Sequence, residues 1–410
     1  MSPDRRVVIT GVGLISPIGH NLEAVSSALQ RGDHGITGHP EWDSIDGLHT
    51  RLAAEVNGID LSGDTRKKVR TMGRVALLSN YATCMAIDDA GLTPDLLTSG
   101  RIGLAYGSTH GSTTAQEGFC RQLFKNDDFR GIGGSSYLKF MSHTCVANLA
   151  QYHGIQGRVI STCAACVSAS QAIGAGYELV KHGLQEVMIC GGAEEMHFTH
   201  VGVFDLLYAT STKYNDRPGE SPRPFDAGRD GLVVGEGAGT LILESLERAS
   251  KRGAKIYGEI VGYGTNCDGT HVTKPSAAGM AASIRLALRD AALAPEAIQY
   301  VNAHATATML GDIEESRATR EVLGGRVAIS STKGHTGHTL GACGAIEIAF
   351  ALAMFRDGFI PPTRNLETLD PECAELDYVR DEPRSARLDV IMSNNFAFGG
   401  INTSLIVRRV

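Results

Sequence analysis

The chain has 410 residues, of which 42% are hydrophobic and 20% are charged, proportions that suit one large globular domain or two compact ones. The formal net charge of −7 argues against a general nucleic-acid binder, and no uninterrupted apolar run is long enough to span a bilayer. Nine scattered cysteines, an odd number, favour reduced thiols in the cytoplasm over a disulfide framework.

The N-terminal segment predicts a first core strand over residues 5–15, because its apolar run is short and interrupted by glycine, unlike a signal peptide. Gly11 and Gly13 do not complete a dinucleotide-binding loop, since Ser16 stands at the next expected glycine. Helices are predicted over 22–29 and 75–90. Between them lies a basic cluster that predicts either a solvated helix face or a dock for an acidic partner. Its members are Arg66, Lys67, Lys68, Arg70 and Arg74.

Residues 159–183 predict a buried strand, a turn of small residues and a helix, with Cys166 at the start of the helix. Backbone N–H groups are unpaired there and the helix dipole is positive, so we expect a stabilised thiolate and a lowered thiol pKa. This position suits a nucleophile. The alternative for a single cysteine is a buried structural thiol.

Strands and helices alternate along the rest of the chain, with further strands predicted at 101–110, 186–194 and 237–244. The second half begins near residue 256 and adds strands at 300–302, 327–330 and 390–393, and helices at 278–291, 313–323 and 340–355. Each half contains one small-residue turn before a Gly/Ala-rich helix: Cys166 precedes one and His338 the other. The pattern predicts an α/β fold of two duplicated halves, residues 1–255 and 256–410, with two covered sheets facing each other.

Three later turns carry polar groups that a core would not choose. His304 follows a strand end, Lys333 and His338 share a Gly-rich turn, and residues 394–402 contain adjacent glycines that allow close backbone approach. Together with Cys166, these turns predict a shared cleft. An alternative is a metal or redox pair at Cys163 and Cys166, in which His304 and His338 would complete a Cys₂His₂ set, although the spacing does not specify one.

The motifs occur in the order of a known family. They are Ala-Cys at 165–166, Ser-Thr-Lys-Tyr-Asn-Asp at 211–216, Arg-Pro-Phe-Asp-Ala-Gly-Arg-Asp-Gly at 223–231, the turns at 304 and 333–338, and Phe-Ala-Phe-Gly-Gly at 396–400. On these residues the chain resembles the elongating β-ketoacyl-acyl carrier protein synthases, essentially end to end. The resemblance implies a thiolase fold, a duplicated five-layer α-β-α-β-α architecture that is normally a homodimer. It implies an acyltransferase that condenses an acyl group with malonyl-acyl carrier protein, releasing carbon dioxide, without a redox or nucleotide cofactor.

The resemblance also implies residue roles. Cys166 takes the acyl group, the backbone N–H groups of Cys166 and Phe398 form an oxyanion hole, and His304 and His338 donate to the malonyl thioester oxygen. Lys333 orients His304 and sets the local charge. The remaining implied roles are pantetheine binding by Thr306 and Thr308, a gate at Phe396 and Phe398, a structural Glu315, carrier-protein docking by the basic cluster at 66–74, and a monovalent-cation site at Asn302, Glu347, Ser393 and Asn394.

The chain departs from the family pattern at several positions: Ala305 and Ala307 replace Gly and Ser around the threonines, and Ala397 replaces Gly between the phenylalanines. His110 falls at the wall of the family's acyl pocket, where it predicts a shorter, unsaturated or oxygenated acyl substrate unless its ring is turned away. A coenzyme A thiolase is disfavoured because residues 395–400 lack a second cysteine. A non-catalytic chain-length partner would lack Cys166, whereas heterodimerisation with such a partner stays open.

Overall fold

The computed structural model describes residues 5–59 and 66–410, apart from the side chains at 66, 67 and 126. The strands within these residues are β1 Val7–Ile15, β2 Thr37–Gly38, β3 Leu52–Ala54, β4 Ile102–Gly107, β5 Val159–Thr162, β6 Val187–Glu194, β7 Val234–Gly235, β8 Gly237–Ser245, β9 Gly258–Cys267, β10 Tyr300–Asn302, β11 Ala328–Ser330, β12 Phe359–Ile360, β13 Asp377–Tyr378, β14 Arg384–Ser385, β15 Val390–Ala397 and β16 Ile401–Arg408.

The α-helices of the described residues are α1 Leu22–Arg31, α2 Arg66–Val69, α3 Arg74–Ala90, α4 Pro94–Leu97, α5 Thr113–Asn126, α6 Ser136–Phe140, α7 Thr144–His153, α8 Ser168–Lys181, α9 Phe198–Leu206, α10 Leu246–Lys251, α11 Ala277–Ala291, α12 Met309–Leu323, α13 Lys333–Thr336 and α14 Cys343–Asp357. None of them combines the length and the apolar character that a membrane crossing requires.

Eleven of the described strands form one hydrogen-bonded sheet in the order β13-β11-β10-β15-β16-β9-β1-β8-β6-β4-β5. Outward from the β1–β9 junction, each side has an antiparallel strand, β8 or β16, followed by a run of parallel strands, three beyond β8 and four beyond β16. The order therefore repeats, as a duplication requires. The expected two separate sheets are instead joined at a short seam, because β9 pairs with the free edge of β1 over three residue pairs.

The helices that follow the two small-residue turns occupy the middle of the fold. Helix α8 packs on β4 and β6, α14 packs on β8 and β15, and the two helices contact each other. Every residue from 343 to 355 is buried, whereas α3 and α7 cover the first part of the sheet and α11 and α12 the second. This is the predicted order of helix, sheet, helix, sheet and helix layers.

Two local features set the position of the nucleophile turn. A Cβ atom at Gly107 would lie 2.5 Å from the backbone carbonyl carbon of Ser168, so glycine allows α8 to begin against β4. Strand β5, which leads into the turn, is the last strand of the sheet, and its residues alternate between exposed and half-buried. The prediction of a buried strand there is wrong, because in the described chain only β4 pairs with β5.

Candidate active site

Cys166 lies in a tight turn, Ala165–Val167, that connects the segment after β5 to α8. Ala165 has a φ of 48°, in the left-handed region that residues with a Cβ rarely adopt. The Ser168 hydroxyl holds this conformation, since its Oγ accepts from the Ala164 N–H at 2.9 Å and donates to the Ala165 carbonyl at 2.7 Å. The backbone thus places the cysteine at the predicted helix start.

The structure brings the predicted cysteine and two histidines together. His338 Nε2 lies 2.9 Å from Cys166 Sγ, and the rings of His304 and His338 are nearly perpendicular, with centroids 5.1 Å apart. One ring nitrogen of each histidine and the cysteine sulfur all lie within 4.8 Å of one another, and all three residues are buried. The three side chains can therefore act on one bound group.

The pKa of the Cys166 thiol differs from the value that the sequence predicts. Burial raises its pKa to about 12, against the opposing effects of the Lys333 charge and of a backbone hydrogen bond at the cysteine itself. The predicted lowering of the pKa is wrong, because desolvation outweighs the helix-start effect at this depth. The resting residue is a protonated thiol, and its attack on a thioester requires a base.

Both histidines are neutral at physiological pH. Burial and the nearby Lys333 charge lower the pKa of each well below its ordinary value, and His338 adds to the effect on His304. A neutral imidazole has one nitrogen that accepts a proton and one that donates. His338 Nε2 is therefore placed to take the thiol proton, and either ring can donate to an oxyanion after a change of tautomer.

Lys333 is fully buried, and its ammonium pairs with Glu347 Oε1 on α14. Burial alone would lower the pKa of Lys333, but the Glu347 carboxylate outweighs burial and raises it, so the ammonium keeps its charge. The predicted effect of Lys333 on the local charge is present, since its charge lowers the pKa of His304, whereas its orienting role stays a prediction. Glu315 holds the backbone of this turn, because its carboxylate accepts the backbone N–H groups of His304 at 2.8 Å and Ala305 at 2.6 Å.

A cavity of about 300 Å³ leads from the surface to Cys166. Thr306 and Thr308 line it, with their Oγ1 atoms 3.2 Å apart. Phe396 is buried with its ring centroid 6.1 Å from that of His304, whereas Phe398 is 36% exposed at the cavity wall. The predicted pantetheine-binding and gate residues thus share one channel with the nucleophile.

His110 does not belong to this channel as the described chain forms it. The residue is exposed, lies outside the cavity lining, and stacks on buried His200 at a centroid distance of 5.2 Å. The place of His110 in the wall of an acyl pocket stays a prediction, because the ring lies outside this channel and against another histidine. Strand β4 ends before His110, and the Ser108 hydroxyl donates to its backbone carbonyl.

The basic cluster divides into exposed and engaged members. The side chains of Arg66 and Lys67 lie outside the described residues, and Lys68 and Arg70 are exposed. The predicted docking role of Arg74 is corrected. Its guanidinium donates from Nε to Glu236 Oε2 at 2.9 Å and from Nη2 to Glu236 Oε1 at 2.5 Å, and Glu236 is fully buried. Its principal contact is internal.

The four predicted cation ligands, Asn302, Glu347, Ser393 and Asn394, are all buried, and they differ in the hydrogen bonds that they make. Ser393 Oγ and Asn394 Oδ1 have no hydrogen-bond partner among the described residues, and Asn302 Nδ2 is similarly unpaired. Oxygen donors of this kind fit a hard monovalent cation. Glu347 does not fit as a ligand, because Lys333 and Asn395 occupy its two oxygens.

The Cys₂His₂ alternative is wrong for the residues that the structure describes. Cys163 is exposed, and its thiol donates to the Thr109 carbonyl at 3.2 Å instead of facing the histidines. The candidate metal-ligating group in the described chain contains Cys166, His304 and His338 without Cys163.

The sequence patterns do not predict two buried residues of the site, Cys343 and Asn395. Cys343 donates from Sγ to the Cys166 carbonyl oxygen at 3.2 Å. The Asn395 carboxamide donates to Glu347 Oε2 at 2.7 Å. Neither lies in a local pattern typical of a catalytic group, so only the tertiary structure assigns them to the site.

Family profiles cover most of the chain: "Beta-ketoacyl synthase, N-terminal domain" matches residues 4–249 and "Beta-ketoacyl synthase, C-terminal domain" matches residues 257–367. The chain belongs to the β-ketoacyl synthase family. Similar curated proteins include 3-oxoacyl-[acyl-carrier-protein] synthase 1 of Haemophilus influenzae, 39% identical over 406 residues and 99% of both chains. The protein of the same name in Escherichia coli is 38% identical over 415 residues, again 99% of both chains.

Solved structures give the same assignment for this β-ketoacyl synthase. A beta-ketoacyl synthase from Burkholderia phymatum STM815 matches with a TM-score of 0.96 and 48% identity, covering 99% of this chain and 100% of the other. The ishigamide ketosynthase/chain length factor matches with a TM-score of 0.92 and 32% identity over the same shares. The predictions of a thiolase fold and of a condensing acyltransferase that elongates an acyl chain are confirmed.

Proposed function

We propose that this β-ketoacyl synthase carries the growing acyl group on Cys166 and condenses it with malonyl-acyl carrier protein. The observation that carries the proposal is the 2.9 Å contact of His338 Nε2 with Cys166 Sγ inside a buried cysteine–histidine–histidine set. The product is a 3-ketoacyl chain two carbons longer, held on the carrier's phosphopantetheine.

In the acylation step, Cys166 Sγ attacks the carrier thioester carbonyl while its proton moves to His338 Nε2. The tetrahedral intermediate collapses, and the departing carrier thiolate takes that proton. Because the thiol pKa is raised to about 12, proton transfer to the adjacent histidine accompanies the attack. The backbone N–H groups of Cys166 and Phe398 are the proposed donors to the oxyanion.

In the condensation step, the malonyl carboxylate leaves as carbon dioxide and its bonding electrons form an enolate. His304 and His338 donate hydrogen bonds to the thioester oxygen, where the negative charge develops. The enolate carbon attacks the Cys166 thioester, a C–C bond forms, and the Cys166 thiolate leaves. A fixed positive charge on buried Lys333 favours both neutral histidines and the anionic intermediate.

The carrier protein is the proposed partner. Exposed Lys68 and Arg70 would attract an acidic surface, since opposite charges steer association. Thr306 and Thr308 lie along the channel that the pantetheine arm would follow.

The chain is proposed to form a homodimer through β5. This strand is the edge of the eleven-stranded sheet, and Val159 is 45% exposed on it. An edge strand with unpaired backbone groups pairs readily with a second copy related by a twofold axis. A related chain-length subunit is the alternative occupant, because a similar solved structure is the ishigamide ketosynthase/chain length factor.

A sodium- or potassium-class cation is proposed near Asn302, Ser393 and Asn394, where it would neutralise buried dipoles and stabilise the fold. No reaction step depends on it.

The test is intact-mass measurement of acyl transfer from carrier-bound acyl groups, with carbon dioxide release from malonyl carrier protein measured in parallel. Wild type gains one acyl group and Cys166→Ala gains none. We expect His338→Ala to slow acylation by about 10²- to 10⁴-fold, the range for loss of a general base. Acylation of the Cys166→Ala variant, or no carbon dioxide release by wild type, would overturn the proposal.

A further inference from the structure

Asn395 on β15 joins three elements of the active site through one buried carboxamide. The residue is buried, with 1% of its surface exposed. Asn395 Oδ1 accepts from the hydroxyl of Ser170 on the nucleophile helix α8. Its Nδ2 donates to Glu347 Oε2 at 2.7 Å and to Cys343 Sγ at 3.4 Å, both on α14. The amide therefore bridges the two central helices.

The chemistry of the neighbours fixes the orientation of this amide. An ionised Glu347 can only accept hydrogen bonds, so the NH₂ group must face it and the carbonyl oxygen must face Ser170. A carboxamide supplies a donor and an acceptor at this reach, whereas aspartate offers only acceptors when ionised. Cys343 extends the unit to the nucleophile turn, because its thiol donates to the Cys166 carbonyl at 3.2 Å.

The bond to Glu347 matters because that carboxylate is the counter-charge of Lys333. Burial raises the pKa of Glu347, and the hydrogen bonds from Lys333 and Asn395 oppose this change. Losing the Asn395 donor would favour protonation of Glu347 and weaken its hold on Lys333. The charge on Lys333 is in turn a cause of the lowered pKa values of His304 and His338.

We propose, on the basis of the proposed function, that Asn395 is a positioning residue for condensation: its carboxamide locks the Glu347–Lys333 ion pair against the nucleophile helix, so that a fixed positive charge faces the catalytic histidines. Asn395 is not itself among the residues that line the cavity, although its neighbour Phe396 is. The titratable groups that interact with this unit include Lys333, Glu347, Cys343, Cys166, Glu315, Asp312, Tyr300, His304 and His338.

The main test is Asn395→Asp, which keeps the shape and replaces the donor with a carboxyl group. Two adjacent carboxylates cannot both be ionised at low energy, and only the protonated new carboxyl group can donate to Glu347. We expect kcat for malonyl decarboxylation at pH 8 to fall about 10- to 100-fold with KM for malonyl carrier protein nearly unchanged, as for a lost charge-assisted hydrogen bond. Activity relative to wild type should recover toward pH 6.

The matched control is Thr403→Val, which removes a buried hydroxyl that donates to the Asn395 backbone carbonyl at 3.1 Å and leaves the carboxamide intact. It should lower the melting temperature without changing the pH profile. A second variant, Ser170→Ala, keeps the carboxamide and the Glu347–Lys333 pair but removes the hydroxyl that donates to Asn395 Oδ1 from the nucleophile helix. We expect its kcat to fall about 2- to 10-fold, as for a lost neutral hydrogen bond.

Three results would overturn the proposal. The first is wild-type kcat for Asn395→Asp across pH 6–9. The second is a loss of the same size at every pH, as a purely structural defect would give. The third, which applies even if Asn395→Asp does not fold, is a folded Ser170→Ala variant with wild-type kcat.

Discussion

The Arg74–Glu236 ion pair allows a structural role and a docking role to be separated by one substitution, Arg74→Met. Glu236 is fully buried and accepts backbone N–H groups from Val56 at 2.8 Å and Met196 at 2.9 Å, in addition to the two Arg74 bonds. Removing the guanidinium leaves a buried carboxylate without its paired counter-charge. Breaking a buried pair in this way costs about 3–5 kcal/mol. The Arg74 side chain is 38% exposed, so solvent screening reduces the expected loss to about 2 kcal/mol.

The assay is the urea midpoint of unfolding, read beside KM for malonyl carrier protein. Arg70→Met is the matched control, because it removes the same group from an exposed position of the same basic cluster. We expect Arg74→Met to lower the midpoint and Arg70→Met to leave it unchanged while raising KM. An unchanged midpoint for Arg74→Met, combined with a raised KM, would refute the structural reasoning and restore Arg74 to the docking surface.

Four further predictions follow from individual side chains. Because the Cys166 thiol pKa is raised to about 12, its alkylation by iodoacetamide should accelerate steadily from pH 7 to pH 9.5; a plateau near pH 7 would show a thiolate instead. Burial lowers the pKa of His200 to about 4 while unfolded histidine titrates near 6.5, so stability is complete above pH 6.5 and declines at lower pH. The loss to pH 5 is about 2 kcal/mol by urea unfolding, and His200→Gln should remove that component. Val159→Lys should convert the proposed dimer to a monomer by light scattering, whereas retained dimer would exclude the β5 interface. Replacing potassium or sodium with choline should lower the melting temperature of wild type but not of Ser393→Ala; equal shifts would exclude the cation site.

The positions of the catalytic groups were predictable because they follow local patterns. Cys166 stands between a strand and a helix of small residues, and His304 follows the short strand β10. Parallel strands align their carboxyl ends at one edge of a sheet, so polar residues just beyond several strands tend to converge. The turn at His338 belongs to the same pattern, and the Sγ–Nε2 contact is its consequence.

The energetics of the site could not be predicted from the same patterns. The helix start favours a Cys166 thiolate, but the depth of burial, which only the packed layers determine, reverses the direction of the pKa shift. Arg74 meets Glu236 across 162 positions of sequence, and Ser170 meets Asn395 across 225. No local spacing encodes such pairs. The sequence therefore predicts that all members of the basic cluster are exposed, and it gives no sign of the role of the Asn395 carboxamide.

Because α8 and α14 pack against each other, the active site can form only after the C-terminal half of the chain has been synthesised and folded. Cys166 lies just before the first of these helices, and its base, His338, lies 172 residues later in the chain, just before the second. Until the C-terminal strands have closed over α14, the thiol has no proton acceptor beside it. A partly synthesised or half-folded chain therefore cannot carry out the proposed acyl transfer, because its cysteine has no base beside it.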